Sequence, residues 1–426
     1  MKHNYRQTFL IGFAFFSICA FWQIYESIIP LMLKNDFGLR EVLTNAVMAI
    51  DNVLALFLLP LFGFLSDRTN TRFGKRTPYI VLGTIFSVIF MLLLPIASSQ
   101  RNLLFFFTVL GLVLISMGTY RSPAVSLMPD LTPKRHRSNA NAIINLIGTF
   151  GGIYTLAMIK FLTPKNVKNP NYTKIFVAVA VIMVVSIVIL MLTINEKKLS
   201  EKIKKEDSDF AEETETAKDI SEPMPAPVKR SFFLILASVF LWFCAYNAVT
   251  TAFSRYAEEV WDMTGGEFTT PLMIATGAAF VSYIPLGFLS SRIGRKKTIL
   301  GGIVLMFVAF SLASFISEVS LAVYIVFIIT GIGWAAINVN SYPMVVEISK
   351  ASNIGKYTGY YYTFSMAAQI FTPLLSGVFL EINYRTLFPY AAIFMIFAFS
   401  TFILVKHGDS RPIKKENLIE NFDIED

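Results

Sequence analysis

Twelve apolar runs constrain this chain more than any other feature. They centre on residues 9–33, 44–65, 79–98, 103–127, 140–162, 173–194, 231–255, 269–291, 298–317, 320–345, 356–380 and 386–405. About twenty apolar residues in a helix cross the hydrocarbon core of a bilayer. No water is available there, so each spanning segment must satisfy its own backbone N–H and C=O groups. The runs therefore predict an all-α, multi-pass membrane protein with twelve transmembrane helices, and their unbroken length excludes a β-barrel. The first run is too long for a signal peptide and lacks a small-residue cleavage site, so it is expected to be retained as span 1. Composition agrees: 54% of residues are hydrophobic and only 15% charged, with a mean hydropathy of +0.58, outside the range of soluble domains.

Residues 195–230, between spans 6 and 7, are dense in Lys and Glu and carry Pro223, Pro225 and Pro227. A segment this polar is expected to stay disordered. It divides the chain into an N-terminal bundle (1–194), a charged linker (195–230), a C-terminal bundle (231–406) and a tail (407–426). Lys and Arg favour the linker side roughly three to one, which places both termini, the linker and the tail in the cytoplasm of a cell-membrane protein. Lys160, Lys165, Lys168 and Lys174 depart from that pattern. The net charge of +8 sits in short loops, where it reads as an orientation signal and not as a nucleic-acid surface.

The loop between spans 2 and 3 reads Gly63-Phe64-Leu65-Ser66-Asp67-Arg68-Thr69-Asn70-Thr71-Arg72-Phe73-Gly74-Lys75-Arg76-Thr77-Pro78. A shortened copy, Gly287-Phe288-Leu289-Ser290-Ser291-Arg292-Ile293-Gly294-Arg295-Lys296-Lys297, begins 224 residues later (287 − 63). Orientation alone would explain the charges but not the repeated Gly-Phe-Leu-Ser. Cys19 and Cys244, each in Cys-Ala-aromatic, keep nearly the same offset and fall inside spans, so no disulfide framework is implied.

The repeated Gly-x-x-x-Asp-Arg with a following basic run resembles the loop signature of the major facilitator superfamily. That resemblance implies two six-helix bundles related by an axis along the membrane normal. It also implies gating roles for Gly63, Asp67, Arg68, Arg72, Arg76, Asp130, Arg292 and Glu347. Asp67 would lie by the N-terminal end of span 11 when the cytoplasmic side is shut, with the arginines tying the halves together; Ser291 replaces the acid in the second copy, so the latch is expected to be asymmetric. Phe73-Gly74-Lys75-Arg76-Thr77-Pro78 with Tyr120-Arg121-Ser122-Pro123 and Arg137-Ser138-Asn139-Ala140-Asn141 further resembles the sucrose transporters and the glycoside and disaccharide cation symporters. The melibiose-type sodium symporters are the nearest alternative. Val125 and Leu114 stand where plant sucrose carriers have an Arg and a carboxylate, and Ala55 and Leu59 stand where the melibiose type has two carboxylates.

Polar residues within the spans supply the candidate transport groups. Span 1 carries Trp22, Gln23 and Glu26; span 7 carries Trp242, Tyr246 and Asn247; span 10 carries Trp334, Asn338 and Tyr342, with several of these one helical turn apart. Aromatic faces beside amides suit a sugar, whose C–H face stacks on a ring while its hydroxyls take paired hydrogen bonds. The same residues would also serve as interfacial anchors and packing amides. Arg121, Asn145 and Gln369 complete the expected substrate set. A charge in hydrocarbon costs about 2.5–3.5 kcal/mol on insertion scales, which favours ions with a partner or a task. Glu26 and Asp51 lie at similar depth, roughly 10–12 Å in at 1.5 Å per residue, and are the candidate coupling sites. Arg121 lies nearer the cytoplasmic end, so direct pairing with either acid would need a tilted or bent helix.

His3, His136 and His407 all lie in loops or tails, and no Cys pair or Gly-rich phosphate loop is present, so neither an enzyme nor a cofactor is expected. The expectation is a secondary carrier, monomeric, importing a disaccharide or glycoside with H+ by alternating access. Sodium-coupled sugar symport and efflux of a non-sugar metabolite are the alternatives.

Overall fold

The computed structural model describes residues 5–133, 137–164, 170–203, 225–348 and 354–408. Residues 204–224 of the predicted linker, the tail from residue 409, and Lys165 and Lys168 lie outside the described residues.

Twelve helices are long and apolar enough to cross a membrane. In chain order they are α1 (Tyr5–Asn35), α2 (Glu41–Arg68), α3 (Thr77–Ser99), α4 (Leu103–Asp130), α5 (Arg137–Leu162) and α6 (Thr173–Thr193), then α8 (Ala226–Trp261), α9 (Thr269–Ile293), α10 (Arg295–Ala313), α11 (Leu321–Ile348), α12 (Ile354–Ile382) and α13 (Leu387–Ile403). A further helix, α7, described over 196–203, falls between the two sets. The all-α, twelve-span architecture is thus as the apolar runs predict. Helix α7 departs from the expectation of disorder: Ile203 is buried, and this apolar residue anchors it. Helix α8 starts five residues before its apolar run and ends six after it.

The chain forms two compact units. The first comprises residues 1–38 and 50–217, the second 39–49 and 218–426.

In the first unit, α1 packs closely on α5 because Gly148 and Gly151 put no side chain between the helices. A Cβ on Gly148 would lie 2.9 Å from the Cys19 sulfur, and one on Gly151 would strike the Phe16 carbonyl. Small residues let membrane helices approach until their backbones touch, which replaces the hydrophobic drive that lipid cannot supply. Side-chain hydroxyls then reach across: Tyr120 Oη donates to the Ala14 carbonyl at 2.8 Å and Thr155 Oγ1 to that of Ala20 at 2.9 Å. The second unit repeats the device. A Cβ on Gly302 would lie 2.7 Å from the Gly333 carbonyl, joining α10 to α11, and Ser238 shares a 2.7 Å hydrogen bond with Thr401 between α8 and α13. Lipid-facing positions are large and apolar, with Phe57 70%, Leu104 78% and Leu192 82% exposed.

Residues 39–49, the loop before α2 and its first turns, belong to the second unit for a specific reason. Arg255 of α8 is fully buried, and its guanidinium forms an ion pair with Glu41 at 2.9 Å and donates to the Asn45 side-chain oxygen at 2.8 Å. Tyr384 donates to the same Glu41 carboxylate, and Arg40 pairs with Glu381. Asn45 lies against Gly377, whose missing side chain makes room for it.

Removing one member of such a pair strands the other charge, at a cost of about 3–5 kcal/mol. Arg255→Gln is therefore expected to lower the midpoint of thermal unfolding in detergent. The double variant Glu41→Gln/Arg255→Gln should recover part of the loss; a double variant less stable than Arg255→Gln alone would show that the pair is not what holds these residues.

Candidate functional site

In the first unit, α1, α2 and α4 bring Trp22, Glu26, Asp51 and Arg121 into one neighbourhood. The Arg121 guanidinium lies over the Trp22 ring, 5.2 Å from its centroid, a cation–π arrangement that replaces lost hydration. Glu26, Asp51 and Arg121 act electrostatically on one another. Among the described residues no ion pair joins Arg121 to either acid. All four residues are half-buried. Span position alone had set Arg121 apart from the acids; packing of α1 against α4, marked by the Tyr120–Ala14 bond, brings its long side chain back to Trp22.

Around this group, Asp51 accepts a 2.8 Å hydrogen bond from Asn52, and Gln23 donates to Ser27 at 3.0 Å. The Trp22 indole N–H is buried with no acceptor. Phe21 and Tyr25 meet the Trp22 ring edge-on at 5.2 and 5.3 Å, which fixes its plane. Asn145 on α5 is exposed.

In the second unit, Tyr246 of α8 and Trp334 of α11 stack face to face, 3.7 Å apart and 4° from parallel, with Phe243 edge-on to Trp334 at 5.4 Å. Trp334 therefore gives one face to Tyr246. Beside them the Asn247 side-chain nitrogen is buried without a hydrogen-bond partner. Asn338 is exposed and donates to Tyr283 at 3.4 Å, Gln369 is half-buried, and Tyr342 shares a 3.1 Å bond with Thr358. Trp242 is placed elsewhere: it is fully buried against Phe402 with centroids 5.8 Å apart. One helical turn separates it from Tyr246, but its ring fills the α8–α13 interface, as in the packing alternative.

The basic loop of the first unit centres on Arg76, only 4% exposed. Its Nε donates to Asp130 at 2.9 Å, Nη2 to Asp67 at 2.5 Å, and Nη1 to Ser66 and to the Gly63 carbonyl at 3.2 Å. Lys75 adds a 3.0 Å ion pair to Asp130. Gly63, Asp67, Arg76 and Asp130, expected to gate, thus share one network. Arg68 and Arg72 instead lie over the rings of Phe64 and Phe73, at 4.0 and 4.6 Å.

Glu196, which sequence reasoning missed, closes this network from some 120 positions away in the chain. Its buried carboxylate accepts from the backbone N–H groups of Lys75, Arg76 and Thr77 and from the Thr77 hydroxyl, all within 3.1 Å. These are the orphan donors at the start of α3, where the helix dipole also favours an anion. Nothing local in the sequence points from residue 196 to residue 76.

The second unit holds an abbreviated counterpart. Ser290 donates to the Gly287 carbonyl at 2.9 Å, as Ser66 does to Gly63 at 2.8 Å. Glu347, among the residues expected to gate, pairs with Arg295, whereas Arg292, also among them, is exposed. The shorter loop explains the difference: Gly294, with φ +97°, turns the chain directly into α10, so Arg295 holds the place that Arg76 holds just before α3. The signal was available, since each is the first Arg after the second glycine of its copy.

A model of the family described as MFS/sugar transport protein matches residues 10–383. The chain belongs to this family. It is similar to the isoprimeverose transporter of Lactiplantibacillus pentosus, 21% identical over 64% of this chain and 56% of that protein. It is also similar to multidrug resistance protein 2 of Bacillus subtilis, 22% identical over 78% and 79% of the two chains. A crystal structure of a POT family transporter in complex with a thioalcohol-conjugated peptide superimposes with a TM-score of 0.71 at 12% identity, covering 95% of this chain and 96% of that one. At that identity the likeness shows the fold. The protein is a twelve-span secondary transporter of the major facilitator type that handles a small solute.

Arg295→Ala in the carrier should cost about 3 kcal/mol of stability by removing the cation paired with the Glu347 carboxylate, whereas Arg292→Ala should stay within about 0.5 kcal/mol. Thermal unfolding of the two variants in detergent checks this, and equal midpoints would remove Arg295 from its assigned place.

Proposed function

We propose that the carrier moves a disaccharide or glycoside across the cell membrane together with a proton, by alternating access, as a monomer of the sucrose-transporter-like and glycoside-cation-symporter-like branch. The observation that carries this reading is the group of Glu26, Asp51 and Arg121 beside Trp22. Two acids and a cation share one region of the membrane interior with no direct ion pair between cation and acid. Charges held in hydrocarbon without pairing mark a working site, and a carboxylate that gains and loses a proton within a transport cycle is the simplest coupling device.

Sugar as substrate is supported by aromatic rings beside unsatisfied donors. Trp22 offers its indole N–H, and Asn247, next to the Tyr246–Trp334 stack, offers its amide. The isoprimeverose transporter among the relatives points the same way. Efflux remains the second reading because multidrug resistance protein 2 covers more of the chain; against it, α5 reads Gly148-Thr149-Phe150-Gly151-Gly152 without the Gly-Pro of the antiporter families. Asp67, Arg68, Arg72, Arg76, Asp130, Arg292 and Glu347 are assigned to gating on the loop resemblance, with Arg295 added by its pairing. Both termini are assigned to the cytoplasm on the Lys and Arg distribution.

In proteoliposomes with a panel of labelled sugars, the carrier is expected to accumulate one of them under an imposed proton gradient. Glu26→Gln or Asp51→Asn should abolish accumulation while sugar counterflow persists, which identifies the coupling residue; a variant that still accumulates sugar is excluded from that role. Accumulation driven by sodium alone would favour the melibiose type, and drug export without sugar uptake would favour efflux.

Trp22→Ala and Trp334→Ala should each raise the half-saturation concentration about five- to tenfold, since a lost stacking face costs on the order of 1 kcal/mol. Unchanged half-saturation in both would leave these rings as packing elements.

A further inference from the structure

At one end of the first unit, the start of α1, the end of α6 and the described part of α7 line an open groove of about 570 Å³. Arg6, Lys198 and Lys202 line it from its polar side, and Leu10, Ile194 and Leu199 from its apolar side. Among the described residues no carboxylate lies within ion-pair distance of the three cations. Lys198 and Lys202 are one turn apart on α7. Like charges at that spacing oppose each other and weaken a helix, so an anion between them would relieve the repulsion.

Among the described residues, the acids nearest in sequence do not neutralise the groove. Glu196 is spent on the N-terminus of α3, and Glu201 is not part of the lining. The bond from Glu196 to Arg76 also fixes which end of the unit this is: the end that carries the basic α2–α3 loop. The groove therefore opens at the level where the apolar spans stop and lipid headgroups begin.

We propose that this groove binds the phosphate of an acidic phospholipid, with Arg6, Lys198 and Lys202 as its ligands and Leu10, Ile194 and Leu199 against the glycerol and upper acyl carbons. Basic pockets between membrane helices recognise anionic headgroups in this way, and Arg presents a fork that matches phosphate oxygens. A free phosphate would satisfy the cations but leave the apolar wall bare and most of the volume unused. The occupancy would fasten α7, the first element after the N-terminal bundle, to the ends of α1 and α6.

The test is native mass spectrometry of the full chain in detergent, titrated separately with dioleoylphosphatidylglycerol, dioleoylphosphatidylcholine and inorganic phosphate. Phosphatidylglycerol is expected to bind about tenfold more tightly than phosphatidylcholine. The variant Arg6→Ala/Lys198→Ala/Lys202→Ala should lose that preference, while the charge-conserving Arg6→Lys/Lys198→Arg/Lys202→Arg retains it and so reports on a folded protein. A charge-matched control, Lys160→Ala/Lys174→Ala/Arg230→Ala, should bind phosphatidylglycerol like the wild type. Equal binding of the two lipids by the wild type overturns the proposal, as does an equal loss in the control. Displacement of phosphatidylglycerol by inorganic phosphate at equal concentration identifies a free-anion pocket and also overturns it.

Discussion

Hydrocarbon is a solvent that accepts no hydrogen bonds, and the rest of this structure follows from that. Each of the twelve spans must close its own backbone ladder, so each is a helix. Lipid also removes the hydrophobic reason for helices to associate, so association falls to close packing. Gly148, Gly151, Gly302 and Gly333 occupy the positions where neighbouring backbones or side chains approach too closely for a Cβ. Hydroxyls such as those of Tyr120 and Thr155 then find acceptors on the next helix, a saving available only where helices nearly touch.

The same constraint makes every charge in or near a span informative. Arg76, Arg255 and Arg295 are all buried, and each has a carboxylate partner. Each partner lies on a different element from its arginine, so the ion pairs act as fasteners between elements as well as neutralising one another. Glu196 is the limiting case, a carboxylate whose partners are backbone N–H groups at the start of α3. Against that background Arg121 stands out. It rests on the Trp22 ring near two acids without pairing to either, and the proposed coupling role rests on that arrangement.

The two units are repeats that have diverged in their basic loops and in their intramembrane charges. Both keep Gly-Phe-Leu-Ser, with Ser66 and Ser290 bonded back to Gly63 and Gly287. Both keep a buried arginine at the start of the third helix of the unit. The first unit elaborates the theme with Asp67, Lys75, Asp130 and Glu196, while the second reduces it to Arg295 and Glu347. Ser291 stands where the first copy has Asp67, and Gly294 leads straight into α10, so the second copy is both shorter and without that acid. The coupling candidates follow the same asymmetry: Glu26, Asp51 and Arg121 all lie in the first unit, and the aromatic stack with the unsatisfied Asn247 lies in the second.

Periodicity and length decide what a bilayer accepts, and both can be read from the linear chain. The twelve spans, the all-α class and the family signature in the basic loops are therefore legible without coordinates. The candidates Trp22, Glu26 and Asp51 were also visible, because a polar residue inside an apolar run is conspicuous by itself. Pairing is different in kind, since it depends on which helix faces which. Only the tertiary structure showed that Arg295 and not Arg292 meets Glu347, that Trp242 fills a helix interface while Tyr246 stacks on Trp334, and that Arg121 reaches Trp22. Only it joined Glu196 to the α3 N-terminus across some 120 residues of chain, and gave residues 39–49 to the second unit through Arg255. Apolar spacing fixes which segments enter the membrane; the packing of their faces fixes which charges meet.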